Sequence, residues 1–162
     1  MTTPRWLTAE EQQLWRMILS SIRKLDRTLD ETLLEGHQLT TSEYAVLVSL
    51  SEVDEKKMRL REICQELDWD RSRASHQITR MDKKGLVKKV KCEGDARGVW
   101  AEMTDEGERR LRDAVPAHVE VVRSLIFDPM KEGQMEVLRS YLDAALSSGS
   151  CKNLDNKRVE DC

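Results

Sequence analysis

Residues 71–80 read Arg-Ser-Arg-Ala-Ser-His-Gln-Ile-Thr-Arg, a dense run of hydrogen-bond donors among small polar groups. Arginine offers a planar fork that fits guanine O6 and N7. Glutamine pairs with adenine N6 and N7, and serine serves a base or a phosphate. Ala74, Ile78 and Met81 recur at intervals of four and three, which on a helix supplies an apolar back. That leaves Ser72, Arg73, Ser75, His76, Gln77 and Arg80 nearer the outer face. A helix lying in a major groove uses about three or four side chains on base edges, so some of these six would serve phosphates.

A second group follows at Glu93-Gly94-Asp95-Ala96-Arg97-Gly98, after Lys88, Lys89 and Lys91. A cation such as Arg97 at the tip of a thin hairpin suits a narrow minor groove, where negative potential concentrates. Asp95 is placed to steady that guanidinium; a surface ion pair of little consequence is the alternative. From Arg71 to Gly98 there are nine Lys or Arg against three Asp or Glu, a local balance of +6 in a chain of −3. Such segregation makes one surface attractive to a polyanion.

Helical elements must carry these groups. Thr8-Ala9-Glu10-Glu11 is a capping box that predicts a helix start, and Leu14, Ile18, Ile22, Leu25, Leu29 and Leu33 extend one apolar stripe towards Gly36. A second helix is expected from Thr41 or Ser42, with Tyr44, Leu47, Val48 and Leu50 as core, and then a polar loop over Asp54–Lys57. Arg59-Leu60 predicts a short strand or the entry to a third helix through Ile63, Cys64 and Leu67. Asp70 is the expected N-cap of the donor-rich helix, which Gly85 ends. Leu86–Cys92 and Val99–Met103 predict two strands joined by the hairpin tip. Thr104 caps the next helix, which Pro116 is expected to interrupt or kink. A last helix carries Met135, Leu138, Leu142 and Leu146. The order and charge together predict a mainly α fold with a small β-wing: a winged helix-turn-helix binding duplex DNA, flanked by helices whose stripes either pair two copies or close a monomeric core.

From these residues the sequence resembles the MarR family of bacterial transcriptional regulators. The resemblance rests on Arg71–Ser75 continuing through Arg80-Met81-Asp82-Lys83-Lys84-Gly85-Leu86-Val87, on Asp95-Ala96-Arg97, and on Met103-Thr104-Asp105-Glu106-Gly107. It implies one domain over residues 1–147, with the winged module at about 41–104 and dimerisation helices at about 8–35 and 105–147. Residues 148–162 lie outside it and are expected to form a polar, mobile tail. It also implies a homodimer on a pseudo-palindromic operator, with repression relieved by a signal. Met103 stands where the family has Leu, and Arg97 lacks the second Arg that often accompanies it.

Four cysteines offer a signal: Cys64, Cys92, Cys151 and Cys162. Cys92 lies among lysines that favour thiolate over thiol and so invite oxidation by a peroxide. Cys151 or Cys162 could then resolve a sulfenic acid as a disulfide, whereas Cys64 reads as a small buried hydrophobe. The alternatives are that all four are incidental, or that a small aromatic or other organic effector binds between dimer helices and winged module, with Trp15, Tyr44 and Trp69 as candidate lining. A metal effector has less support, since His37, His76, His118 and the cysteines lack close ligand spacing. No cofactor is expected. The sequence holds no CxxC pair, phosphate loop or nucleophile elbow, so an enzyme is not expected. It has no apolar run of about 20 residues and no signal-peptide core, which predicts a cytoplasmic protein without membrane contact.

Overall fold

The structure, a computed structural model, describes residues 4–91 and 98–147. Thr8 opens helix α1 (Ala9–His37) through a reciprocal cap: its Oγ1 accepts the Glu11 N–H at 3.2 Å, and Glu11 Oε2 accepts the Thr8 N–H at 2.7 Å. The helix ends one residue beyond Gly36, but the glycine is not its left-handed stop. The left-handed residue is Gln38, at φ 56°, and the Leu39 N–H returns to the Leu33 carbonyl at 3.1 Å. Leu33 and Leu39 are both fully buried. Burying two leucines contributes about 1.5–3 kcal/mol each, which outweighs the roughly 1–2 kcal/mol cost of a non-glycine left-handed residue.

Helix α2 (Thr41–Ser51) starts from a second capping box, between Thr40 and Glu43. Strand β1 (Lys57–Arg59), helix α3 (Leu60–Glu66), helix α4 (Arg71–Lys83), strand β2 (Val87–Lys91), strand β3 (Val99–Met103) and helix α5 (Asp105–Val122) follow. A π-helical turn, Arg123–Phe127, leads to helix α6 (Gln134–Ser147). The sheet has three antiparallel strands in the order β1-β3-β2, with Arg59 opposite Trp100 and Val90 opposite Trp100 on the other side. Lys57, expected in a loop, is the first residue of β1. Lys57-Met58-Arg59 does alternate, with only Met58 buried, but three residues are too few for alternation to identify a strand.

The core joins the end of α1 to the winged module: Leu33, Leu39, Val46, Leu47, Leu50, Ile63, Ile78, Met81 and Leu86 are fully buried, with Leu111 and Ala114 of α5 against them. Thr104 ties α5 to this core. Its Oγ1 accepts the Gly107 N–H at 3.0 Å and donates to the Leu86 carbonyl at 3.0 Å. A Cβ at position 107 would collide with that same Leu86 carbonyl, so the Thr-x-x-Gly spacing records a close backbone approach. Pro116 does not interrupt α5. It is exposed, as are Arg112 and Asp113, so water can serve the carbonyl that proline cannot bond.

Most of α1 and all of α6 lie outside this core. Only Leu29 and Leu33 of α1 are buried, and no residue of α6 is. Leu14, Trp15, Met17 and Ile22 on α1, with Val137, Tyr141 and Leu146 on α6, are each half exposed or more. Among the described residues no helix is long and apolar enough to cross a membrane.

Candidate nucleic-acid interface

Helix α4 is set by its first turn. Asp70 accepts the Arg73 N–H at 2.9 Å, satisfying one of the unpaired donors at the helix start. The turn before it places Asp68 at φ 48° and directs the Trp69 N–H to the Cys64 carbonyl at 2.9 Å. Ala74, Ile78 and Met81 are completely buried, as the spacing predicts. The opposite side then presents Arg71, Ser72, Arg73, His76 and Arg80 to solvent, with Ser75 and Gln77 half-buried at its margins. The guanidinium of Arg73 lies over the Trp69 ring, 4.4 Å from its centroid.

The far end of α4 is joined to the sheet. Gly85 takes φ 74° and the Leu86 N–H returns to the Met81 carbonyl at 3.0 Å. Asp82 accepts the Lys89 N–H at 2.9 Å, and Lys89 Nζ donates to Thr79 Oγ1 at 3.1 Å. These two bonds tie the helix to the wing base. Lys88 is exposed on β2, opposite Glu102 of β3, with Lys57 beyond it on β1. On that outer face Lys57 Nζ and the Arg59 guanidinium approach the Trp100 ring to 5.2 and 5.0 Å. Sequence reading missed this basic, aromatic face. Arg59 and Trp100 are far apart in the chain, and only the register of a third strand pairs them.

The predicted residues Ser72, Arg73, Ser75, His76, Gln77, Arg80 and Lys88 thus occur on one continuous assembly of α4 and the wing base. Asp95, Arg97, Cys92, Cys151 and Cys162 lie outside the described residues. Cys64 is buried on α3. The three aromatics proposed for a pocket have separate surroundings. Trp15 is half exposed on α1, and Trp69 lies beneath Arg73. Tyr44 stacks on His118 of α5 with centroids 4.4 Å apart and planes 20° from parallel. Burial pushes the Tyr44 hydroxyl up and the His118 imidazole down from their usual pKa values. A different cleft, of about 470 Å³, opens between α1 and α4, lined by Asp30, Glu31 and Glu35 of α1 and by Gln77 and Arg80 of α4. Among the described residues no three His, Cys, Asp or Glu gather closely enough to hold a metal ion.

Residues 28–114, more than half of the chain, match the sequence profile of the transcriptional regulator SarA/Rot family. The HTH-type transcriptional regulator PecS of Dickeya dadantii (strain 3937) is 27% identical over 119 residues, covering 73% of this chain and 70% of PecS. Among solved structures, Sco3205, a MarR family transcriptional regulator from Streptomyces coelicolor crystallised in complex with DNA, is 36% identical. It superposes with a TM-score of 0.83 over 88% of this chain and 90% of its own. AbsC, a MarR family regulator from the same organism, is 35% identical with a TM-score of 0.80, covering 94% of this chain and 99% of its own.

Proposed function

The chain belongs to the MarR family of winged-helix transcriptional regulators, and from that premise we propose a homodimeric, sequence-specific repressor that binds a pseudo-palindromic duplex and releases it on cysteine oxidation. The observation that carries DNA binding is the outer side of α4. It holds Arg71, Ser72, Arg73, His76 and Arg80 in solvent while its back is locked in the core. A rigid helix with forked donors at its start has the form needed to read a major groove. That Sco3205 was crystallised with DNA supports the same use here. The dimer is supported by the apolar residues of α1 and α6 that this chain leaves in water, since a second copy of the same two helices would cover them.

Release by oxidation rests on Cys92, which follows Lys88-Lys89-Val90-Lys91 directly. The thiolate attacks hydrogen peroxide, an S–O bond forms as the O–O bond breaks, and hydroxide leaves. Cys151 or Cys162 then displaces water from the sulfenic acid to give a disulfide. A DNA-binding titration with peroxide, followed by dithiothreitol, tests this. Cys92→Ser should bind DNA and ignore peroxide. Release of Cys92→Ser as readily as wild type would move the sensor elsewhere, with Cys64 next in line.

The cleft between α1 and α4 supports a second reading, an organic effector. A ligand there would meet Gln77 and Arg80 on the reading helix itself. Three carboxylates from α1, against one guanidinium, suit a cationic ligand better than an aromatic acid. Peroxide-insensitive binding that a small organic cation weakens would favour this reading over the thiol.

A further inference from the structure

We infer that Trp69 is the positioning residue for Arg73, holding its guanidinium ready for a base edge before DNA arrives. The inference rests on the reading of α4 as the base-reading helix. Arg73 is the third residue of α4 and is fixed twice from the preceding turn. Its backbone N–H is bonded to Asp70, and its side chain lies 4.4 Å from the Trp69 ring centroid, within the distance of about 6 Å at which a cation is drawn to an aromatic face. The ring is itself part of the fold. Trp69 is half-buried against the core cluster, and its backbone N–H is held by the carbonyl of buried Cys64.

The kind of partner matters. A carboxylate would occupy the N–H donors of the guanidinium, and among the described residues no carboxylate forms an ion pair with Arg73. An aromatic ring engages the flat face and leaves the five N–H donors at the edge free. Arg73 can therefore stay on Trp69 while its edge pairs with guanine O6 and N7, the bidentate contact that a flexible arginine reaches only by losing rotamer freedom. Trp69 would thus add to affinity without touching a base, and only on sequences that Arg73 recognises.

The test uses duplexes selected by the wild-type protein from a random pool, set against unselected duplexes of the same length. Kd is measured on both for wild type, W69L, W69F, R73A and the double variant W69L/R73A. A stacking contribution of the size found at exposed sites predicts a roughly two- to fivefold loss for W69L on the selected duplex. Little change is expected on unselected DNA, W69F should recover most of the loss, and W69L should add almost nothing once Arg73 is gone. Equal losses on both duplexes, a W69L effect that survives in the R73A background, or unchanged or tighter binding would overturn the inference. If W69L does not fold, W69F carries the test, with a smaller loss that must vanish in W69F/R73A. R73A with the wild-type ratio of selected to unselected binding would overturn the base-reading role of α4 and this inference together. R73A that loses the ratio, beside an undiminished W69L effect, would overturn this inference alone.

Discussion

Gln77 and Lys88 stand at two positions of the same surface where different physics should dominate. Gln77 is half-buried on α4 and can address a base edge, whereas exposed Lys88 on the wing base suits a phosphate. Gln77→Ala is expected to cost roughly 1–3 kcal/mol on a selected duplex and little on random DNA. Lys88→Ala should weaken both alike and lower the slope of log Kd against log salt by about one. Binding isotherms at several salt concentrations separate the two, and a uniform loss for Gln77→Ala would remove it from base readout. Gly107 makes a prediction of opposite sign to local preference. Helix propensity alone favours alanine by about 1 kcal/mol, but the new Cβ would meet the backbone carbonyl of Leu86. Gly107→Ala should therefore lower stability in urea unfolding by roughly 1–3 kcal/mol. A gain would show that the start of α5 can slide away from Leu86.

Contacts between elements hold helix α4 to the rest of the fold. Lys84, at the end of α4, places Nζ 2.7 and 2.9 Å from the two carboxylate oxygens of Glu43, whose side chain is fully buried at the start of α2. Lys84→Met should cost roughly 1–3 kcal/mol by leaving a buried carboxylate short of donors. Adding Glu43→Gln should restore part of that, a coupling readable in a denaturation cycle. The stack between Tyr44 of α2 and His118 of α5 gives a pH dependence. Burial lowers the pKa of His118 in the folded state, so below its unfolded value of about 6.5 the unfolded chain binds more protons. Stability should fall as pH drops from there through the folded pKa. His118→Phe keeps a ring in place and should lose less stability than wild type between pH 7.5 and 5.5 in thermal melts. Parallel curves would assign the acid sensitivity to carboxylates instead. Helices and caps of this kind were legible in the sequence because capping boxes, an Asp N-cap and a glycine stop are local signals. The passage of α5 through Pro116 and the full extent of β1, which starts two residues before the expected Arg59, were not. Water around an exposed proline lets the helix continue, and pairing with β3, remote in the chain, draws Lys57 into the strand. Trp69 was noticed for its type but not for its place beneath Arg73, which depends on a turn at Asp68 that no short motif announces.

At the scale of the whole molecule, a winged module with a filled core carries two long apolar faces that it cannot cover itself. Leu146 is 77% exposed and Val137 72%, values that a lone chain in water would hold at a cost of about 25 cal/mol for each Å² of apolar surface. Sedimentation is expected to find a dimer at micromolar concentration, and the melting temperature should rise with protein concentration as association is linked to folding. A concentration-independent melt of a monomer would rule this assembly out. One consequence concerns dose. If α6 finds shelter only on a second copy, operator occupancy in the dilute regime follows the square of chain concentration, and it becomes linear only above the dimerisation constant. Halving the supply of such a chain would then empty its site about fourfold at low occupancy, so the fold of a single helix sets a threshold on how much regulator a cell must make.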